Sequence, residues 1–176
     1  MANKQALRDL QTRLSERMKQ VRTEQPGLSW LAVDCAGHGL LLALRQAGEI
    51  FKPGTLLPVP HTQDWLAGVV NLRGGVYTVV DLAVFLGLRV ASQDAPSPQA
   101  RLVALNAGLE VNSALLVDRL EGLRHAVDMQ RVVESVDNAP HPAIAPARWQ
   151  DDAGRVWQEI DLAELAALPQ FLAITG

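Results

Sequence analysis

"GVVNLRGGVYTVVDL", residues 68–82, sets two apolar runs on either side of Arg73-Gly74-Gly75 and closes on Asp81-Leu82. Runs rich in valine, broken by a short glycine-bearing segment, read as two strands of a hairpin. The expected register places Gly68 to Leu72 against Val76 to Val80, with the glycines supplying positive φ at the tip. A phosphate-holding loop is the competing reading of a glycine-flanked cation. Neither G-x-x-x-x-G-K-[ST] nor G-x-G-x-x-G is present, and a β-rich run follows where a long helix would have to begin. Asp81 precedes Leu-Ala-Val-Phe and therefore occupies the position of a helix N-cap. Arg73 is left over. Its planar fork of donors suits a protein interface as well as it suits solvent, and residue type alone leaves both readings open.

The same pattern returns in the last quarter of the chain. "GGVYTVVDLAVFLGL", 74–88, laid over "GRVWQEIDLAELAAL", 154–168, gives six identities in fifteen positions, among them Asp81 with Asp161 and Leu82 with Leu162. Each copy runs glycine turn, strand, Asp-Leu, short helix. Glu164 follows Asp161 by three residues, the spacing of a capping box. The repeat implies two related subdomains built from short strands. It also places the two aspartates in equivalent positions of separate subdomains, which weakens any acid/base pair between them.

From Leu28 onward the texture is of short apolar runs punctuated by Gly, Pro, Asn and Asp. Ser29 to Cys35 and Leu40 to Leu44 read as a hairpin, Glu49 to Phe51 and Leu56 to Pro60 as extended pieces, and Leu102 to Leu105 and Ala114 to Val117 as buried strands. Val127 to Val136 mixes strand and turn character. "ASQDAPSPQA", 91–100, is a linker or long loop, and the proline-rich 138–148 is expected to hold no regular element. At the N-terminus Leu7, Leu10, Leu14, Met18 and Val21 recur at helical spacing, and Pro26-Gly27 ends the pattern. This gives an amphipathic helix over 1–27, one domain over 28–168 and a tail over 169–176. The helix has two possible uses: packing on its own domain or docking on a partner.

Composition narrows the function. A net charge of −3 and 5% aromatic residues argue against a general nucleic-acid surface, which needs a basic face and stacking rings. A single-stranded nucleic-acid-binding barrel stands as the alternative reading on fold class alone. Cys35 is the only cysteine, and His38, His61, His125 and His141 lie on separate turns, so neither a disulfide nor a zinc site is expected. No nucleophile–base pair is assembled, no cofactor motif is present, and the expectation is a protein without catalysis or cofactor. The longest apolar run, Leu40 to Leu44, is too short for a membrane span, and no secretory signal is seen. The expected location is the cytoplasm, without direct membrane insertion.

"WLAGVVNLRGGVYTVVDLAVFLGL", together with "LLALRQAGEIF", "LLVDRLEGL" and "VWQEIDL", resembles the CheW-like family of bacterial chemosensory adaptors over roughly residues 29–168. The resemblance implies a mainly β fold of two small five-stranded barrels sharing a core. It further implies a non-enzymatic adaptor coupling the cytoplasmic tips of methyl-accepting chemoreceptors to the regulatory domain of a CheA-like histidine kinase, recruited to membrane-associated arrays. The family's contact positions fall on Ala47, Glu49, Gly68, Arg73, Leu102 and Leu123. Thr78 and Gly48 depart from the family pattern. The N-terminal extension and the "PQFLAITG" ending are similar to the PilI-type adaptors of type IV pilus systems, which govern twitching motility.

Overall fold

Strands buried on both faces organise this molecule. The computed structural model describes residues 27–132 and 142–176, so all of the expected N-terminal helix except Gly27 lies outside the described residues. The strands are β1 (Ser29–Cys35), β2 (His38–Ala43), β3 (Ala47–Phe51), β4 (Leu66–Leu72), β5 (Gly75–Asp81), β6 (Arg101–Leu105), β7 (Ser113–Val117), β8 (Arg119–His125), β9 (Gln130–Val132), β10 (Arg148–Gln150) and β11 (Val156–Ile160). Helices α1 (Leu82–Phe85), α2 (Leu162–Ala167) and α3 (Pro169–Leu172) are short.

The strands form two sheets, in the orders β8-β1-β2-β11-β10-β9 and β3-β6-β7-β5-β4. Each sheet is built from both halves of the chain. β5 of the first half pairs parallel with β7, and β11 of the second half pairs parallel with β2. The two copies of the repeat therefore sit in equivalent places, each locked to a strand from the other half. The mainly β, two-subdomain architecture stands, with one adjustment. The sheets have six and five strands, and no ladder among the described residues closes either into a full barrel.

Alternation explains the near-continuous apolar runs. Along β1 and β2, Trp30, Ala32, Leu41 and Ala43 point into a cluster with Met129, Trp149 and Trp157, inside the six-stranded sheet. Leu31, Val33, Leu40 and Leu42 point the other way, into a core shared with the second sheet. β6 and β7 do the same: Leu102, Ala114 and Leu116 face the inside of the five-stranded sheet, while Val103, Leu115 and Val117 face the shared core. Three clusters thus stack through two sheets, and fusing the middle one makes a single domain of two subdomains.

The repeated Asp-Leu steps cap helices as expected. Asp81 accepts from the Val84 N–H at 3.2 Å, and Asp161 accepts from the Ala163 and Glu164 N–H groups at 2.9 and 3.1 Å. Glu164 does not complete a capping box, because the Asp161 N–H already donates to the Ile144 carbonyl at 2.8 Å. The equivalent Asp81 N–H donates to the Trp65 carbonyl at 2.9 Å. The expected tail also belongs to the fold. Phe171 on α3 is buried against Trp65 and Phe85, with ring centroids 6.2 and 5.5 Å away, and Thr175 bridges Thr62. Of the proline-rich 138–148, residues 138–141 lie outside the described residues; Pro142–Ile144 forms a 3₁₀ turn and Arg148 opens β10, so the rest is not without regular structure.

Candidate functional site

The β4–β5 turn differs from the expected one by a residue. Leu72 pairs with Gly75, so Gly75 is in the strand and Arg73-Gly74 alone make the tip, with φ of +50° and +86°. Positive φ at both central residues is the geometry that matches the twist of a hairpin. The β1–β2 hairpin is made the same way by Ala36-Gly37, at φ +53° and +81°. In each, a side-chain oxygen three residues back accepts the glycine N–H: Asn71 Oδ1 from Gly74 at 2.9 Å, Asp34 Oδ1 from Gly37 at 3.0 Å. Alanine fills in one turn the place arginine fills in the other. The fold therefore needs a residue that tolerates this backbone, and it does not need a guanidinium.

The Arg73 side chain is 75% exposed and pairs with Glu49 at 2.5 Å. Glu49 lies on β3, and Arg73 caps β4; these strands are the opposite edges of the five-stranded sheet. The ion pair thus spans the gap that the backbone ladders leave open, which means the sheet curls until its edges meet. An exposed pair of this kind contributes only about 0.2–1 kcal/mol, so a partner can take over either charge at small cost. Ile50, 39% exposed beside Glu49, and Val76, 64% exposed beyond the tip, add apolar surface to this end.

The remaining expected contact residues lie elsewhere. Ala47 is 8% exposed in the shared core, next to a bulge where β3 loses register with β6. Gly68 is buried at a bulge in β4, with φ +138°, and a Cβ there would lie 2.5 Å from the Leu57 carbonyl oxygen. It is needed because Leu57 crosses β4 and exchanges two 2.9 Å backbone hydrogen bonds with Val69. Leu102 is fully buried inside the five-stranded sheet, so it presents no surface and supports the site from beneath. Leu123 belongs to the other sheet, on edge strand β8, and is 52% exposed. Glu49 and Arg73 are therefore brought together, Ala47, Gly68 and Leu102 are buried, and Leu123 is exposed on the other sheet.

Two features escape sequence reasoning. Arg89 reaches back from the end of α1 and holds both Asp81 and Asp118 at 2.6 Å, tying the first-half repeat to the end of β7. Its partial burial opposes protonation, yet the two carboxylate hydrogen bonds raise its pKa. At the second repeat an uncharged residue takes this role: Gln46 donates to Asp161 at 2.9 Å and accepts from the Leu162 N–H at 2.9 Å. Leu44, 43% exposed, donates its N–H to the Ser29 carbonyl and so extends the β1–β2 ladder beyond its last regular pair. The aspartates of the repeat are thus occupied by caps and cross-links. Cys35 is buried, and desolvation followed by the nearby Asp118 charge pushes its thiol pKa well up, the opposite of an activated nucleophile. A cleft of about 480 Å³ between the start of β2, the end of α1 and β10–β11 has Arg148 and Arg155 at its rim. Arg155 is already held by Asp34 at 3.0 Å and stacks on Trp157, 4.2 Å from the ring centroid.

A charged hairpin tip closing a curled sheet, repeated caps and two fused subdomains are the features by which the chain can be compared with known proteins. The CheW-like domain model matches residues 29–170. This chain belongs to the CheW-like family. It is 27% identical over 99 residues to the protein PilI of Pseudomonas aeruginosa, covering 55% of this chain and 53% of that protein. It is 32% identical over 89 residues to the chemotaxis protein CheW of Thermotoga maritima, covering 51% and 56%. The chain thus spans about half the length of the curated relatives it matches. The scaffolding protein CheW of Thermoanaerobacter tengcongensis shares the fold, with a TM-score of 0.65 at 18% identity over 83% of this chain and 92% of that one. Among the described residues of this CheW-like protein, no helix is long and apolar enough to cross a membrane.

Proposed function

We infer that this CheW-like protein is a non-catalytic adaptor that couples chemoreceptors to a histidine kinase of the CheA type. The observation that carries the reading is Arg73. It is an exposed arginine at a hairpin position that alanine, Ala36, fills in another hairpin of the same turn geometry, and it is paired with a glutamate at the opposite sheet edge. Such a residue is free to serve recognition, and exposed apolar neighbours with a charged rim are the composition of a docking surface. Membership of the family and the names of the relatives, a chemotaxis protein and a scaffolding protein, support the class. The likeness to PilI supports a type IV pilus output and, with it, control of twitching motility. Glu49 and Arg73 orient one partner on the five-stranded sheet, and Leu123 offers apolar contact to another on β8. The adaptor works in the cytoplasm, at the membrane-associated receptor array.

The test is co-purification of the full chain from its native host. A histidine kinase and a chemoreceptor in the eluate are expected. A well-expressed bait that recovers neither contradicts the adaptor reading, and recovery of the kinase of a flagellar system alone contradicts the pilus assignment.

A further inference from the structure

Strand alternation carries the shared-core face of the six-stranded sheet out to solvent at one end. On β11, Ile160 points into the shared core, so Gln158 and Val156, two and four residues back, stand on the same face. Leu40 of β2 lies beside Gln158 in the parallel ladder, with His38 two residues before it, and Arg148 of β10 lies opposite Gln158. Burial falls away along this row: Leu40 and Ile160 are 3% and 2% exposed, whereas Val156 is 47% exposed. Leu86 and Leu88, past the end of α1, line a second side, and Ile144 with Ala145 a third. Together they make the cleft of about 480 Å³.

That volume lies within the roughly 300–1,000 Å³ of small-molecule sites. The polarity of the cleft is divided. Its floor, Leu40, Leu86, Ile144 and Ile160, belongs to the shared apolar core. Among the described residues, every ionisable side chain that lines it is basic, His38, Arg148 and Arg155, and no carboxylate does so. Asp34 and Glu121 pair with Arg155 Nη2 and Nη1 at 3.0 and 3.5 Å from outside the lining. A guanidinium carries five N–H donors, so these two pairs do not exhaust it. Stacking on Trp157 orients Arg155, and the Arg148 Nε bond to Gln158 Oε1 at 3.1 Å orients Arg148. Oriented guanidinium groups at the rim of an apolar floor suit a ligand with an anionic head and an apolar body. Its carboxylate gains charge-assisted hydrogen bonds while its chain leaves water.

We propose that this cleft binds a small amphiphilic carboxylate, with the chain on Leu40, Ile144 and Ile160 and the head held by Arg155. Such a ligand touches both the end of α1 in the first repeat and β11 in the second. Glu49, Arg73 and Leu123 do not line the cleft, and the proposal does not rest on the adaptor reading.

The probe is octanoate, with octylammonium as its cationic counterpart, added to full-length protein carrying isoleucine methyl labels for NMR. The chain has four isoleucines: Ile144 and Ile160 line the cleft, and Ile50 and Ile174 do not. Octanoate is expected to shift Ile144 and Ile160 saturably while Ile50 and Ile174 stay in place, and octylammonium to shift none of them saturably. Arg155→Gln should weaken octanoate binding at least several-fold. Because that change also releases Asp34, Val156→Glu serves as a second variant. It adds a carboxylate at the exposed wall and should abolish octanoate binding, admit octylammonium, and leave the Ile50 and Ile174 signals where they were. No octanoate response at Ile144 and Ile160 in the parent overturns the proposal. So do shifts spread over all four methyls, or an equal response to both probes. A folded Val156→Glu protein that binds octanoate as tightly as the parent overturns it as well.

Discussion

Replacing Gly68 by alanine tests whether this position serves recognition or architecture. The added Cβ would sit 2.5 Å from a backbone oxygen, that of Leu57, and would also hold a side chain at φ +138°. A non-glycine residue in a sparsely allowed region costs about 1–3 kcal/mol. The contact is with backbone, so relief means moving the Leu57 segment away from β4. That movement sacrifices the paired Leu57–Val69 hydrogen bonds, each with a net contribution of about 0.5–1.5 kcal/mol. The sum is a destabilisation of about 2–6 kcal/mol. Urea unfolding gives the total, and hydrogen exchange at the Leu57 and Val69 amides shows whether the segment has lifted. Partner capture should fall in proportion to the loss of this segment. A Gly68→Ala protein within about 0.5 kcal/mol of the parent, with both amides still protected, would refute the reasoning.

Other perturbations separate support from contact. Leu102→Ala removes a fully buried side chain and should cost about 2–5 kcal/mol, lowering the unfolding midpoint and partner capture together; lost capture at unchanged stability would make Leu102 a contact. Arg89→Met leaves Asp81 and Asp118 without their shared cation and should cost about 1–3 kcal/mol, with faster exchange at the α1 amides as the local sign. Asp151 is held below the usual carboxylate range, first by the Trp157 indole N–H, and for Glu121 desolvation pushes the pKa up but the hydrogen bond and charge of Arg119, with Arg155, bring it down. For carboxyls whose folded pKa is depressed, the stabilisation is present above the unfolded pKa of about 4 and is lost as pH falls through the folded value. Stability should therefore decline below about pH 4, and Asp151→Asn should flatten that limb; an acid limb unchanged in the variant would show that Asp151 does not contribute to it.

Local signals in the sequence carry a large part of this molecule. The Arg73 hairpin, the Asp81 and Asp161 caps and the repeat that relates them are all set within a few residues, by turn chemistry and strand alternation. The exchange of strands between halves is not local. Nothing in Val76 to Val80 says that β5 will pair with β7, since that choice depends on which buried faces fit in three dimensions. β8 was hidden for a different reason: "RLEGLRH" is a mostly exposed edge strand with a bulge opposite Ala32/Val33, so its alternation is weak. The missing half of the capping box shows the same limit, because the acceptor that claims the Asp161 N–H, Ile144, is seventeen positions away in sequence. At the candidate site, residue chemistry singled out Arg73 without deciding between solvent and a partner, and Glu49 came only with the family resemblance. The burial of Leu102 was legible as part of a buried strand, but the layer it faces was not, because that depends on what packs beneath the sheet.

Arg73→Glu sets these ideas against each other most directly. It places two glutamates at the meeting point of the sheet edges while leaving the turn geometry available. Equilibrium unfolding and capture of the receptor and kinase, measured on the same preparation, give the answer. The account predicts a stability within about 1 kcal/mol of the parent, the scale of an exposed ion pair, with capture abolished. Capture that survives the substitution, or that disappears only together with the fold, would contradict it.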